Sequence, residues 1–328
     1  MALNLASFKE GEWQKHQSMQ STRTFAFRAQ CARIYNQLNY SFFGETTYFI
    51  EAGKDGYLFE KVYSASVCGE NFAGHEKLTN QLDSLDRLDQ LLKSRGKTLI
   101  VLLAPNKYRF FREKVDLDCD QEQTNYDVIR TLLDQKQIET IDCNRLFQDK
   151  DATYPLFSKN GTHWSIYGAG QVAKELQNML VEGGYSDGVL SEQSIEMDEF
   201  PRYTDKDLHD LLNIMQLPPK ETLAYPTYQW SGQKKPRTLI VGDSYYMTFY
   251  YLNLHETMFA ADSKFFHYAK EQVGVNPTIG EPLTSEMIAA ELDRSDVIIL
   301  ESNEDALSKF GWGFISKAVE MLESEPSL

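Results

Sequence analysis

Two kinds of apolar spacing alternate along the chain. Thr98 to Ala104 is a near-continuous apolar run of the sort found in a strand buried on both faces. Thr238-Leu239-Ile240-Val241, Lys264 to His267 and Asp296 to Leu300 read the same way, and Ile138 to Ile141 more weakly. Between them lie stripes at helical spacing. Leu82, Leu85, Leu88, Leu91 and Leu92 form one, ended by Gly96. Tyr126 to Leu133 forms another, and Ile166, Ala169, Val172, Ala173, Leu176, Met179 and Leu180 form a third, stopped by Gly183-Gly184. Helices are also expected from Tyr246, near 285–292 and from Phe314. Strands that alternate with helices predict a doubly wound, mostly parallel α/β sheet.

Two regions break the alternation. Residues 1–47 are polar with scattered aromatics, and Ala32, Ile34, Tyr35, Leu38 and Phe42 mark one helix face, so this stretch reads as an N-terminal helical arm. Short strands follow at Tyr48-Phe49-Ile50 and at Gly56-Tyr57-Leu58-Phe59, around the turn Gly53-Lys54-Asp55-Gly56. Residues 185–236 hold polar stretches, a Leu-rich helix at Leu208 to Leu217, Pro218-Pro219 and the aromatic run Tyr225 to Trp230. This stretch reads as an insertion, or lid, within a domain spanning 48–328.

The chain has 328 residues, 42% of them hydrophobic, which is ample for a buried core. Its 48 acidic against 33 basic residues give a formal charge of −15. Nucleic-acid binding needs concentrated Lys and Arg against phosphates, so that class is disfavoured. No run approaches the ~20 apolar residues of a membrane span, and the first thirty residues carry no apolar signal core. Cys31, Cys68, Cys119 and Cys143 lack metal-type spacing. They read as free thiols, with one or two disulfides possible. Neither a metal nor an organic cofactor is expected.

In a doubly wound sheet, ligands bind beyond the carboxyl ends of the strands. Asn106-Lys107, Asp142, Ser244 and Glu301 all follow predicted strands and should meet at one rim. Ser244 lies in Gly242-Asp243-Ser244-Tyr245, on a strand-to-helix turn. It reads either as an acyl-accepting nucleophile or as part of an Asp/Ser helix cap. His163 lies in Gly161-Thr162-His163-Trp164, just before a helix with Ser165 as its expected N-cap. It reads as the base that activates Ser244, or as a core histidine. Trp164, Tyr245 and Tyr246 either line an acyl or sugar subsite or pack in the core. Asp243, Asn106 and Lys107 are candidates for substrate contact or for the oxyanion region, with capping or turn roles as the alternative.

Gly-Asp-Ser after a strand, preceded by Thr-His-Trp before a helix, resembles the alginate O-acetyltransferase family of SGNH-hydrolase-like proteins. The order, His before Ser, is that of the permuted acetyltransferase branch. Gly53 to Phe59, Pro105-Asn106-Lys107 and Tyr167-Gly168-Ala169 agree with the resemblance, which spans roughly residues 48–301. It implies an extracytoplasmic carbohydrate O-acetyltransferase or acetylesterase, with Ser244 as nucleophile and His163 as proton shuttle. It also implies a polysaccharide acceptor, a bacterial cell-envelope setting, a signal or anchor ahead of residue 1, and an acetyl donor delivered by a membrane-bound O-acyltransferase. One position departs. The family carries Asp-x-His-Trp, and here the Asp position is Gly161. The candidates to orient His163 in its place are Asn160, Asp142 and Glu301. A catalytically impaired carbohydrate-binding or scaffold protein on the same fold is the alternative function, and a cytosolic esterase a further one.

Overall fold

The computed structural model describes residues 28–119, 123–273 and 280–324. Two compact units divide the chain. Among the described residues, the smaller comprises 28–48 and Asp210–Leu217, and the remainder forms the larger. In the smaller unit helix α1 (Arg28–Phe43) has no buried residue. Its Asn36 amide donates to the Leu212 carbonyl at 3.1 Å, and Gln37 Oε1 accepts the N–H groups of Met215 and Gln216. The arm of 1–47 therefore shares its unit with part of the 185–236 stretch, and its first 27 residues lie outside the described ones.

The larger unit is built on a seven-stranded sheet ordered β10-β9-β8-β7-β11-β3-β4. It follows a small hairpin of β1 (Ile50–Ala52) and β2 (Leu58–Glu60) and the short helix α2 (Val62–Val67). The main strands are β3 (Thr98–Ala104), β4 (Thr140–Asp142), β7 (Thr238–Gly242), β8 (Lys264–His267), β9 (Glu271–Val273), β10 (Gly280–Pro282) and β11 (Val297–Asn303). β8, β7, β11, β3 and β4 run parallel, and β9 and β10 add an antiparallel edge. Every residue of β3, β7 and β11 is buried, as the apolar runs predict for central strands covered on both faces.

The period-2 alternation splits these strands between two cores. Leu99, Val101, Leu103, Leu239, Val241, Ile298 and Leu300 face α3 (His75–Lys93), α5 (Asn125–Lys136), α11 (Ser285–Arg294) and α12 (Phe314–Ser324). Ile100, Leu102, Ile240, Val297 and Ile299 face α6 (Cys143–Asp149), α7 (Ile166–Glu182) and the pair α9 (Met247–Tyr251) and α10 (Leu254–Met258). α7 begins where Ser165 accepts the Gly168 N–H at 2.9 Å, the cap its sequence predicts. A short helix α4 (Lys107–Phe110) follows β3.

The 185–236 stretch is largely a long antiparallel hairpin of β5 (Val189–Asp198) and β6 (Leu223–Ser231). It lies against α7: a Cβ at Gly170 would stand 1.9 Å from the Tyr228 hydroxyl, so only glycine admits that approach. Between the two strands the chain runs through a turn at Tyr203–Lys206 into α8 (Asp207–Leu212). A disulfide joins Cys68 to Cys119, while Cys31 and Cys143 are free. Among the described residues no helix is long and apolar enough to cross a membrane, and no cluster of His, Cys, Asp and Glu could hold a metal ion.

Candidate active site

β7 ends in Gly242, and Ser244 opens a single turn of 3-10 helix, Ser244–Tyr246, that leads into α9. A buried network fixes this turn. Asp243 Oδ1 accepts the Tyr245 N–H at 2.9 Å, and Oδ2 accepts both the N–H and the side-chain amide of Asn303, at 2.9 and 2.6 Å. The Asp243 N–H donates to Glu301 Oε2 at 2.8 Å. Both acids are fully buried. Burial pushes the Glu301 pKa well up, and the neighbouring Asp243 charge adds to it. Burial also raises the Asp243 pKa, against the backbone N–H bonds from Asn303 and Tyr245 that favour its ionised form.

His163 arrives from the loop before α7. Its Nε2 lies 2.9 Å from the Ser244 Oγ. Its Nδ1 lies 2.5 Å from Asp207 Oδ2, and Asp207 Oδ1 accepts the Thr162 N–H at 2.9 Å. Asp207 thus grips both the ring and the backbone beside it. Burial by itself lowers the His163 pKa, but Asp207, followed by Asp243 and Glu60, outweighs it and raises that pKa above the ordinary value. The Tyr245 ring meets the imidazole edge-on at 4.7 Å, and its hydroxyl donates to the Thr162 carbonyl at 3.1 Å. The constellation is a hydroxyl, an imidazole and a carboxylate joined in sequence, the arrangement that activates a serine for acyl transfer.

The carboxylate that meets His163 Nδ1 is none of the three candidates read from the sequence. Asn160 is buried, and among the described residues its side-chain amide has no hydrogen-bond partner; its main chain is engaged with Ser158 Oγ and the His209 N–H. Asp142 caps α6 and accepts the Tyr126 hydroxyl at 2.8 Å. Glu301 supports the Ser244 turn from beneath. Gly161 explains the substitution. A Cβ there would stand 2.3 Å from the Thr204 carbonyl oxygen and 3.1 Å from Asp205 Cα. The segment that brings in Asp207 occupies the space an Asp at 161 would need.

For the substrate-side candidates the structure favours the core and capping alternatives. Trp164 is fully buried and donates Nε1–H to Thr248 Oγ1 at 2.6 Å, so it is a core residue. Tyr245 and Tyr246 are buried as well. Asn106 caps α4 through the Tyr108 N–H, and its amide donates to Ser66 Oγ and to the Tyr63 carbonyl. Lys107 is buried, and its ammonium donates to the carbonyls of Leu58, Lys159 and Gly161 at 2.8, 3.0 and 2.6 Å. Burial pulls its pKa down to about 7. Neither Asn106 nor Lys107 turns a donor toward Ser244; both brace the loops around it. Asp243 caps a turn rather than meeting substrate.

Sequence reasoning missed Asp207. The acid-rich run Thr204-Asp205-Lys206-Asp207 before Leu208 reads as an ordinary helix start. The one pointer was the glycine at 161, whose meaning depends on a contact 43 residues downstream with Thr204.

Residues 50–256 match a family model described as an SGNH hydrolase-like domain, acetyltransferase AlgX. Two solved structures share the fold. The O-acetyltransferase domain of Pseudomonas putida AlgJ aligns with a TM-score of 0.54 at 15% identity, covering 83% of this chain and 98% of that one. Pseudomonas aeruginosa AlgX aligns at 0.50 and 17%, covering 82% and 67%. A comparison with curated proteins gives no match.

Proposed function

The chain belongs to the AlgX acetyltransferase family of SGNH hydrolase-like domains, and from that premise we propose that it is a serine-dependent O-acetyltransferase acting on a polysaccharide. The unbroken chain of contacts from Ser244 through His163 to Asp207 carries this reading. His163 Nε2 takes the Ser244 proton as Oγ bonds to the acetyl carbonyl carbon. The Asp207 carboxylate holds the neutral ring in the tautomer that leaves Nε2 free to accept, and stabilises the imidazolium that forms. The carbonyl electron pair moves onto oxygen and returns as the donor's leaving oxygen departs, protonated by His163. A glycan hydroxyl then gives its proton to the same nitrogen as it attacks the acetyl-enzyme; the Ser244 Oγ–carbon bond breaks, and His163 returns the proton to Oγ. In the turn, the Tyr245 N–H is committed to Asp243 Oδ1 and the Tyr246 N–H to the Asp243 carbonyl. The Ser244 N–H is the turn's donor to the oxyanion.

The disulfide between Cys68 and Cys119 supports an oxidising, extracytoplasmic setting. Delivery of acetyl by a membrane-bound O-acyltransferase belongs to the same proposal. Gly161 was the main support for a non-catalytic scaffold, and the presence of Asp207 removes that support. The direct test is an acetyl-enzyme on Ser244, trapped from 4-nitrophenyl acetate and located by peptide mass, together with stoichiometric labelling by a sulfonyl fluoride. Labelling that persists in Ser244→Ala, or no labelling of the unmodified protein, overturns the proposal.

A further inference from the structure

The Ser244 turn contributes one N–H to an oxyanion, and an oxyanion developing in an acyl transfer is ordinarily held by two or more donors. The neighbouring amides are committed: Asn303 to Asp243, and Asn106 to Ser66 and Tyr63. A further donor beside Ser244 comes from the next strand. β8 pairs parallel to β7 with His267 opposite Gly242, and the Tyr268 N–H donates to the Gly242 carbonyl at 2.8 Å. Tyr268 therefore leaves the sheet at the same edge as the nucleophile.

Its backbone is unusual. Tyr268 has φ +51° and Ala269 has φ +53°, two consecutive non-glycine residues in the left-handed region. Such conformations are disfavoured for residues with a Cβ and gather at functional sites when the surroundings enforce them. The ring is clamped between His267, at 4.2 Å between centroids, and Trp312, edge-on at 5.3 Å. Trp312 itself has φ +46° between Gly311 and Gly313, both with positive φ. Two strained turns thus hold one phenol in place. Burial, followed by the charge of Asp243, raises its pKa to about 12, and hydrogen bonding with the Ser244 hydroxyl opposes the rise. The phenol keeps its proton across the working pH range and so remains a donor.

We propose that Tyr268 is a catalytic residue whose hydroxyl donates a hydrogen bond to the acyl oxygen of the tetrahedral intermediate formed on Ser244. The inference rests on the serine mechanism above. No proton leaves Tyr268: Ser244 gives its proton to His163, the Oγ–carbon bond forms, and the carbonyl electron pair becomes the oxyanion that the phenol and the Ser244 N–H share. Tyr268 lies beyond residues 50–256, outside the segment that matches the family model.

The test is Tyr268→Phe, which keeps the ring between His267 and Trp312 and removes only the hydroxyl. With 4-nitrophenyl acetate we expect kcat to fall by ~10²-fold, the scale for loss of one oxyanion-hole donor, with KM and the melting temperature unchanged. A kcat that stays near the unmodified value overturns the inference, as does a loss confined to KM. Sulfonyl fluoride labelling of unmodified Ser244 separates the two failures. Without it the serine mechanism itself falls; with it and an unimpaired Tyr268→Phe, only the role of Tyr268 falls.

Discussion

On one side of the His163 imidazole stands Ser244, at the end of a fully buried central strand; on the other stands Asp207, on the segment between the strands of a peripheral hairpin. The serine side is braced by Glu301, Asp243 and Asn303 through four hydrogen bonds that also involve Tyr245. The acid side is partly exposed: the Asp207 side chain retains 24% of its accessibility. It is held by the Thr162 N–H and by the buried contacts of its neighbours. Asp205 Oδ1 accepts the Ile166 N–H, and Ser158 donates to the Asp205 carbonyl and shares Glu221 with the Lys159 N–H. The contrast follows from what each group must do. A nucleophile needs its backbone fixed, because its own N–H also meets the oxyanion. An orienting acid acts only through the ring, so any segment that reaches Nδ1 can supply it.

The largest effects should come from breaking each side in turn. Ser244→Ala or His163→Ala should lower turnover with 4-nitrophenyl acetate by up to about 10⁶-fold, and Asp207→Asn by about 10⁴-fold, the hierarchy known for serine triads. Equal losses on the two sides would erase the distinction. The pH profile sharpens it. His163 must be neutral to act as base, and its raised pKa places the acid limb of kcat/KM above the ordinary imidazole value of roughly 6.5. Asp207→Asn should move that limb to lower pH. Stability runs the opposite way. A folded-state pKa above the unfolded one stabilises the protein fully below about pH 6.5, and that contribution is lost as pH rises through the folded value. Unfolding followed across this range should show the loss in the parent and a smaller one in Asp207→Asn.

Next in size is Gly161→Asp. Restoring the family's acid at its usual place drives a side chain into the Thr204 carbonyl, so stability should fall by about 3 kcal/mol. Activity should not return when the change is combined with Asp207→Asn. Recovery of turnover in that double variant would mean the acid side tolerates either address. The smallest effect concerns the tether of the 185–236 stretch. The rings of Tyr203 and Tyr251 stack at 4.9 Å and 18°, joining the turn before Asp207 to the helix that follows Ser244. Tyr203→Ala should cost ~1 kcal/mol of stability and lower kcat a few-fold without changing Asp207 itself.

Much of this was legible in the sequence, for a physical reason. Strands β3, β7 and β11 are buried on both faces, and that demands the apolar runs that announce them. The Ser244 and His163 positions follow from strand ends and helix caps, which are local signals. Asp207 was not legible because its role depends on tertiary placement: nothing within several residues of it differs from a common helix start. The β5–β6 hairpin was hidden for a related cause. Its β5 strand is mostly exposed or half-buried, so it lacks the periodic apolar face that marks a strand. For Trp164 the sequence left two readings open, since an aromatic beside a base looks the same whether it faces substrate or core.

The Lys107 ammonium adds a consequence for how such a site can change over time. It grasps main-chain oxygens, one of them at Gly161, and every amino acid carries that oxygen. The loop leading to His163 is thereby anchored through its main chain, while the Thr204 carbonyl restricts what position 161 itself can carry. A change of residue elsewhere on that loop leaves this anchor intact, and the carboxylate that meets the histidine comes from a separate segment.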